Sequence, residues 1–351
     1  MNKFIKIFFE KIAGQAHPPH VMPANAGISL ISRRLRVKPA MTLVLLLCAT
    51  ISCNRDEVFE REQYKHVFAL VSGTDNISVW EHDLRMPESV GFVTISMGGS
   101  NPTDRDATVT LAEAPRLIDA YNLVAFDLNT SRYLQPLASR RYTIDSYQMT
   151  IPAGEPKAYI PVRIRPQGLS PDSAYLIALK VDTYNTFEVN PEKDFVLYQV
   201  QTKNWWATYR GSVYSQRGTM EEAGTDGETQ VFGTKRLFPL TETSVRALAG
   251  DELNDNADLA IFRRYSMILN IGNDNKVQIE PYGSLQITQI DNDAIFGNIV
   301  MLENDGFRTY KTFLLHYQYT ASDGKTYNVK EELRLDYRED PEDPRFLVVS
   351  H

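Results

Sequence analysis

The sequence is poor in the residues from which metal and redox sites are built. Its 351 residues include two cysteines and six histidines, whereas a structural zinc site needs about four such ligands. Glycine-rich nucleotide motifs and the HExxH zinc motif are also absent. We therefore predict no metal and no cofactor. One alternative stays open, an irregular calcium site in the acidic loop AGDELNDNAD at 249–258.

The apolar run at residues 41–52 is too short to cross a bilayer. It has 12 residues, whereas a membrane-spanning helix needs roughly 20. Four basic residues precede the run, at positions 33, 34, 36 and 38, and the small residues Ala49, Thr50 and Ser52 end it. This order is typical of a secretory signal, so residues 1–52 are predicted to be a leader.

The two cysteines lie at the end of this leader and have different predicted fates. The segment Thr50-Ile51-Ser52-Cys53 is similar to the lipobox of bacterial lipoproteins, so Cys53 is predicted to be the lipid-bearing first residue of the mature chain. Cys48 follows Leu47, where cleavage would need a small residue, and is predicted to be discarded. A plain secretory signal with incidental cysteines is the alternative.

Negative charge exceeds positive charge beyond the leader. The chain has a formal net charge of −7, but residues 1–52 carry seven Lys or Arg and one Glu, which leaves −13 for the remainder. Nucleic-acid binding needs a basic surface, and an anionic lipid surface attracts basic segments. We therefore predict no nucleic-acid partner, and contact with the membrane only through the lipid anchor.

Alternation of apolar and polar residues dominates the mature chain. Short strands are predicted at 108–111, 158–164 and 174–181. One hairpin is predicted to join FLLHYQYT and YNVKEELRLDY through Asp323-Gly324, and a second to turn at 273–275.

Helical periodicity is scarce, and one helix is predicted, at residues 115–126. Pro115 suits a first helical turn, and Leu117, Tyr121 and Val124 or Ala125 recur at helical spacing. Residues 216–230 and 249–258 are predicted to be loops because they are rich in Gly, Thr, Asn and acids.

The predicted fold is all-β with two domains. An immunoglobulin-like β-sandwich with a short helical insert is predicted at 62–202, and an antiparallel β-sandwich or barrel at 203–351. Residues 53–61 are predicted to be the lipidated tether between the leader and the first domain.

Exposed aromatic side chains are the best candidates for a binding site. If residues 205–214 form a strand, Trp206, Arg210 and Tyr214 share one face, where they would combine aromatic rings with a hydrogen-bonding group. Such a face suits a sugar ring, although Trp206 could instead pack at the domain junction. Trp80 is a weaker candidate of the same kind.

Several motifs between residues 107 and 181 occur in a recognisable order. They are Ala120-Tyr121-Asn122, Pro136-Leu137 with Tyr142, residues 151–154, and Leu169 with Ala174-Tyr175. This order resembles the N-terminal β-sandwich domain of unknown function found in Bacteroidota surface lipoproteins, and the segment from Trp205 looks like its companion C-terminal β domain.

The resemblance implies a cell-surface role in handling glycans, with a glycan and an outer-membrane glycan transporter complex as expected partners. Asn54-Arg55-Asp56-Glu57 is similar to the segment that follows the lipidated cysteine in such proteins, which implies an outer-membrane location facing the exterior.

Catalysis is not predicted. Some relatives are fused to family-18 glycoside hydrolases, but their closely spaced acid motif is absent here. Glu331 and Glu332 are adjacent in a predicted strand, so their side chains point to opposite faces and cannot flank one bond. The predicted function is therefore noncatalytic glycan binding. A structural or adhesive protein is the first alternative, and a glycosidase with acids distant in sequence is the second.

Overall fold

The computed structural model describes residues 65–99, 101–252 and 259–337. They belong to one compact unit, Glu62–His351. The predicted leader, Cys48, Cys53 and the whole predicted tether lie outside the described residues. None of the helices in the described ranges is long and apolar enough to cross a membrane.

Two β-sheets make up the N-terminal half. Their strands, in chain order, are β1 Val67–Leu70, β2 Ile77–Asp83, β3 Ser89–Gly98, β4 Ala107–Glu113, β5 Gln135–Pro136, β6 Tyr142–Thr143, β7 Gln148–Ile151, β8 Lys157–Ile164, β9 Tyr175–Tyr184, β10 Glu188–Val189 and β11 Phe195–Lys203. One sheet has the order β10-β1-β3-β8-β6, and the other has the order β2-β11-β9-β4-β7 with β5 beside β9.

The two sheets enclose one core because each strand alternates apolar and polar side chains. Val93 and Ile95 of β3 and Ile160 of β8 are buried there with Leu179 of β9 and Tyr198 of β11. Burying an aliphatic or aromatic side chain of this size stabilises a fold by about 1.5–3 kcal/mol. The side chains between these core positions, on the other face of β3 and β8, are left at the surface.

The predicted helix is present as α1, Arg116–Phe126, and Pro115 precedes its first turn. Its buried residues are Ile118 and Asn122, and Ile118 packs with residues of β9 and β11. The prediction that one face of this helix is apolar and buried is only partly right, because Val124, which was assigned to that face, is 89% exposed. The Asn122 amide donates to the Leu134 carbonyl and accepts from the Leu134 N–H, both at 2.9 Å. This pair of bonds fixes the segment that leads into β5.

The C-terminal half is a nearly closed antiparallel barrel. Its strands are β12 Ser212–Glu222, β13 Glu228–Pro239, β14 Ser244–Leu248, β15 Ser266–Ile271, β16 Val277–Tyr282, β17 Ile287–Gln289, β18 Ile299–Asn304, β19 Thr309–Thr320 and β20 Thr326–Tyr337, with a short helix α2, Leu259–Tyr265. Their order is β16-β15-β14-β13-β12-β20-β19-β17, and β18 also pairs with β19.

Hydrogen bonds between β16 and the β18 region bring the two ends of this sheet together. The Val277 N–H donates to the Asn298 carbonyl at 2.7 Å, and the Val300 N–H donates to the Asn275 carbonyl at 2.8 Å. The predicted all-β fold with two domains is confirmed, and of the two C-terminal alternatives the barrel is the one observed.

Both predicted hairpins are confirmed. β19 and β20 pair along their whole length around Gly324, whose φ of +81° favours glycine. β15 and β16 pair around Asn275, which has a φ of +63°.

The prediction of a loop at 216–230 is wrong. These residues belong to the long hairpin β12–β13, with a turn between Glu222 and Glu228. Its strands tolerate Gln, Thr and Glu because one of their faces meets solvent. Of the other predicted loop, residues 253–258 lie outside the described ranges.

Candidate functional site

Residues 205–211 form a turn rather than the predicted strand, and only 212–214 of that stretch belong to a strand. The Asn204 carboxamide oxygen accepts hydrogen bonds from the N–H groups of Trp206 and Ala207, at 3.0 and 2.9 Å. A side chain that bonds its own following backbone favours a turn over a strand. Gly211, with a φ of +81°, completes the reversal, and β12 begins at Ser212.

This turn places two of the three predicted glycan-binding residues in the barrel core. Trp206 is 8% exposed, Tyr214 is fully buried, and the Tyr214 hydroxyl donates to the Trp206 carbonyl at 2.8 Å. Arg210 is exposed. The predicted face of Trp206, Arg210 and Tyr214 therefore does not exist, because the turn breaks the alternation on which it was based.

The weaker candidate, Trp80, lies beside a group of aromatic rings on the N-terminal sandwich. Its ring is half-buried, and its centroid is 5.5 Å from that of Phe92, whose centroid is 5.1 Å from that of Tyr159. Tyr159 is 61% exposed. We call these three residues the aromatic row. It runs from β2 across β3 to β8.

Packing against the sandwich core holds the Trp80 end of the row, whereas Tyr159 at the other end is exposed. The Trp80 ring stacks nearly parallel to the buried ring of Tyr198, at a centroid distance of 6.4 Å, and its indole N–H donates to the Ser78 hydroxyl. A Cβ on Gly91 would stand 2.0 Å from the Tyr198 hydroxyl and 3.0 Å from the Trp80 ring. Only glycine therefore lets β3 approach these two rings.

Charged side chains border Phe92 and Tyr159 on the outer face of β3 and β8. Arg163 pairs with Val90, two residues before Phe92 on β3, and its guanidinium donates to Asp145 at 3.2 Å. It also lies 3.6 Å from a Glu88 carboxylate oxygen. At the other side of the row Lys157 pairs with Ser96. The rings are therefore flanked by groups that can bond hydroxyls.

Sequence reasoning missed Phe92 and Tyr159, although the signal was present. In GFVTIS, Phe92 alternates with the core residues Val93 and Ile95, and in KAYIPV, Tyr159 alternates with Ile160 and Val162. An aromatic residue out of phase with the core of a strand points to the outer face.

A buried histidine supports the row from inside the sandwich. His82 lies 3.0 Å from the Tyr198 hydroxyl through Nε2 and 3.1 Å from the Ser89 hydroxyl through Nδ1. Burial lowers the pKa of His82 to about 4, and the nearby Lys203 ammonium acts in the same direction. The imidazole is therefore neutral at neutral pH.

We expect acid to destabilise the fold through His82. The pKa of His82 falls from 6.5 in the unfolded chain to about 4 in the folded one, so the unfolded chain binds more protons between these values. Stability is therefore complete above pH 6.5 and is lost as the pH falls towards 4, by about 3 kcal/mol from this group. Urea denaturation at both ends of this range measures the change.

His82→Gln is the matched variant for this measurement. It keeps hydrogen-bonding atoms but cannot take up the proton, so the loss of stability with falling pH should shrink by about the amount assigned to His82. A variant with the same pH dependence as the parent would contradict the assignment.

The described residues contain no candidate metal-binding cluster. Within 65–99, 101–252 and 259–337, no group of three or more His, Cys, Asp or Glu side chains is placed to hold a metal ion. The open calcium alternative falls largely on residues outside these ranges. As predicted, Glu331 and Glu332 point to opposite faces, since Glu331 is fully buried and Glu332 is partly exposed.

Two family models match the chain in succession. The model of an N-terminal domain matches residues 64–188, and the model of the companion C-terminal domain matches residues 194–334. The chain belongs to this two-domain family. This confirms the resemblance inferred from the motifs at residues 107–181. No curated protein sequence matches the chain.

Solved structures from Bacteroides share the fold of both halves. A protein of unknown function from Bacteroides ovatus has a TM-score of 0.59 at 15% identity, with 80% of this chain and 99% of that chain covered. A multidomain Bacteroides ovatus protein that includes DUF1735 has a TM-score of 0.57 at 15% identity, covering 78% and 95%.

A third structure carries a functional description. It is an auxiliary nutrient binding protein from Bacteroides thetaiotaomicron, with a TM-score of 0.54 at 15% identity, and 76% of this chain and 94% of that chain are covered. At such identities these likenesses establish the fold alone, and they show that it extends over nearly the full length of each relative.

Proposed function

We propose that this protein is a noncatalytic carbohydrate-binding protein of the cell surface. The observation that carries the proposal is the aromatic row of Trp80, Phe92 and Tyr159, with its charged border. Pyranose rings have an apolar face, which aromatic rings cover at low entropic cost, while their hydroxyls need polar partners. The row supplies the rings, and Arg163 and Lys157 supply polar groups on either side.

The structural relatives support this proposal in a general way. One Bacteroides protein of the same fold is described as an auxiliary nutrient binding protein. A protein that captures nutrients for uptake needs a binding face and no catalytic centre, which is consistent with the aromatic row. The proposed partners are therefore a glycan and an outer-membrane glycan transporter complex.

The proposed location is the outer membrane, with the protein facing the exterior and anchored through Cys53. The support is the lipobox-like segment that ends at Cys53 and the charged residues that follow it. One acyl chain holds a protein only marginally, at ~0.8 kcal/mol per buried methylene, and a second makes the anchoring stable. Metabolic labelling with a fatty acid tests it, since Cys53→Ala should abolish incorporation and Cys48→Ala should not.

Binding to immobilised polysaccharides tests the proposed function. The purified full chain should be retained by at least one of xylan, mannan, mixed-linkage β-glucan, amylose and mucin. Tyr159→Ala should weaken that binding about tenfold, or about 1.4 kcal/mol, because it removes an exposed ring without opening the core. Affinity electrophoresis with each polymer gives both values.

Phe232→Ala is the matched control, because Phe232 is 72% exposed on the barrel, far along the chain from the row. It should bind as the parent does. Absence of binding to every polymer would overturn the proposal, and release of new reducing ends from a polymer would contradict its noncatalytic part.

One observation favours a second candidate function, the binding of other proteins. Leu123, Val124 and Leu128, at the end of α1, are 56%, 89% and 81% exposed. Exposed apolar side chains are common at protein interfaces. If Leu123→Ser abolishes co-purification of a membrane partner while polymer binding is absent, this candidate replaces the first.

A further inference from the structure

Two long neighbouring strands of the sandwich carry no negative charge, although acids outnumber bases beyond residue 52. β3 and β8 contain no Asp or Glu, and their only charged side chains are those of Lys157 and Arg163. The register of the two strands places both cations on the outer face, together with Phe92 and Tyr159. The two strands therefore present positive charge on this face, in a chain whose net charge is negative.

Carboxylates from neighbouring loops compensate the positive charge at one end of this face, beside Arg163. Asp145 accepts a hydrogen bond from its guanidinium at 3.2 Å, and a Glu88 carboxylate oxygen lies 3.6 Å from it. Lys157 begins the same strand six residues earlier, which is about 20 Å away in extended backbone. It is exposed, and within the described ranges its ammonium has no ion pair or hydrogen bond. Lys157 therefore offers its full charge to a ligand.

An exposed ring, an ammonium and two hydroxyls lie together at the Lys157 end of the face. Lys157 and Tyr159 are separated by one residue, so their side chains leave β8 on the same face, about 7 Å apart at the backbone. Tyr159 is 61% exposed, and β3 places Thr94 opposite Tyr159 and Ser96 opposite Lys157. We call these four residues the Lys157 patch.

The Lys157 patch matches a sugar that carries an anionic group. The apolar face of a pyranose ring can cover the ring of Tyr159, while a carboxylate or sulfate at the edge of the sugar reaches the ammonium through the flexible lysine stem. A hydrogen bond between charged partners is about twice as strong as one between neutral groups. A neutral sugar would place only hydroxyls against the ammonium, so it would gain less.

The excess of negative charge in the rest of the protein adds selectivity. Beyond residue 52 the chain has more acids than bases, so most of its surface repels an anionic polymer, whereas the local field at β3 and β8 attracts one. An anionic polysaccharide is therefore directed towards the face that carries the Lys157 patch.

We propose that the Lys157 patch binds an acidic sugar unit of a polysaccharide, with Tyr159 covering the sugar ring and Lys157 pairing with its carboxylate or sulfate. The inference rests on the proposed carbohydrate binding and names the class of sugar that is recognised. Lys157 is the specificity-determining residue, because its charge distinguishes an anionic chain from a neutral one.

Polysaccharide pairs that differ in charge test this inference by surface plasmon resonance with the full chain. Polygalacturonate is compared with its carboxyl-reduced form, and dextran sulfate with dextran. At least one anionic polymer should bind about tenfold more tightly than its neutral counterpart at low salt. Sodium chloride at about 0.5 M should remove most of this difference, because salt screens exposed charges. The pair that shows the difference identifies the anion as carboxylate or sulfate.

Lys157→Gln is the decisive variant, because it removes the charge of an exposed side chain without opening the core. Its affinity for the anionic polymer should fall about fivefold, while its affinity for the neutral counterpart should stay the same. Lys157→Arg should bind as the parent does. Lys276→Gln is the matched control, since it removes the same charge from an exposed lysine of the barrel, and it should also bind as the parent does.

The possible failures are distinguishable. If the parent binds neutral polymers as tightly as anionic ones, or binds neutral polymers only, the inference is overturned and carbohydrate binding stands. The same holds if Lys157→Gln and Lys276→Gln change the affinity for the anionic polymer equally. If the parent retains no polymer, neutral or anionic, carbohydrate binding falls, and the inference falls with it.

Discussion

Lys235→Met is expected to lower the free energy of unfolding by about 3–5 kcal/mol, because it leaves one charge of a buried ion pair without its partner. The Lys235 ammonium donates to a Glu331 carboxylate oxygen at 2.6 Å, and the two side chains are 4% and 1% exposed. Burial lowers the pKa of Lys235, although Glu331 opposes this shift.

Neutral donors complete the surroundings of Glu331 inside the barrel. The Tyr317 hydroxyl donates to one carboxylate oxygen at 2.7 Å, and the Gln216 amide donates to the other at 2.8 Å. Gly250 joins both, since its N–H donates to the Tyr317 hydroxyl and its carbonyl accepts from Gln216. These bonds can stay in place in Lys235→Met, but the carboxylate charge would have no cation to balance it.

Lys325→Met is the matched control, because the Lys325 pair with Glu222 is exposed, at 52% and 37%, with a distance of 2.7 Å. An exposed pair contributes about 0–1 kcal/mol, so this variant should be nearly as stable as the parent. Lys235→Met with Glu331→Gln should recover part of the loss. Equal stability of the two single lysine variants in urea denaturation would show that the buried pair has no special role.

Asp172→Ala is expected to cost about 3–5 kcal/mol for the same physical reason, this time at the contact between the two halves. Asp172 lies before β9, whereas its partner Arg246 lies on β14 of the barrel, and the side chains are 7% and 4% exposed. The Tyr282 hydroxyl donates to the second Asp172 oxygen at 2.6 Å. Asp172 therefore joins both domains through one carboxylate.

Aromatic rings surround the Arg246 guanidinium, so removal of its anionic partner leaves a buried cation among apolar groups. The central carbon of Arg246 is 5.4, 4.8 and 4.7 Å from the ring centroids of Phe238, Phe262 and Tyr282. Cation–π contacts offset part of the free-energy cost of desolvating the guanidinium. In Asp172→Ala they would remain, but no carboxylate of Asp172 would balance the positive charge. Differential scanning calorimetry should show a lower Tm and a broader transition, as the two halves unfold less cooperatively.

Asp194→Ala is the control for this second variant. Asp194 lies 3.3 Å from Lys180 in a pair whose side chains are 25% and 49% exposed, so its removal should change stability little. If Asp172→Ala is as stable as Asp194→Ala, the contact at Arg246 does not hold the domains together.

Local pattern was sufficient for the elements whose neighbours in space are also neighbours in sequence. The β19–β20 hairpin follows from the alternation of Phe313, Leu315 and Tyr317 with polar residues and from Asp323-Gly324. Helix α1 follows from Pro115 and the spacing after it. In both cases the decisive contacts span few residues, so the sequence displays them directly.

The candidate site could not be predicted in the same way. Trp206 and Tyr214 were assigned to a surface because a continuous strand was assumed, but the Asn204 side chain turns the chain there. The exposed ring of Tyr159 lies beside Phe92 because β8 pairs with β3, more than sixty residues earlier in the chain. That register is fixed by the shared core and not by either strand alone.

The sequence by itself determined the all-β class, the two-domain family and the excess of negative charge beyond residue 52, because alternation, motif order and composition are local or additive properties. Only the tertiary structure decided which aromatic residues reach solvent and which charges, such as Glu331 and Asp172, are buried with a partner. The reason is that a strand residue's exposure depends on what packs over its face, and the packing partners come from distant parts of the chain.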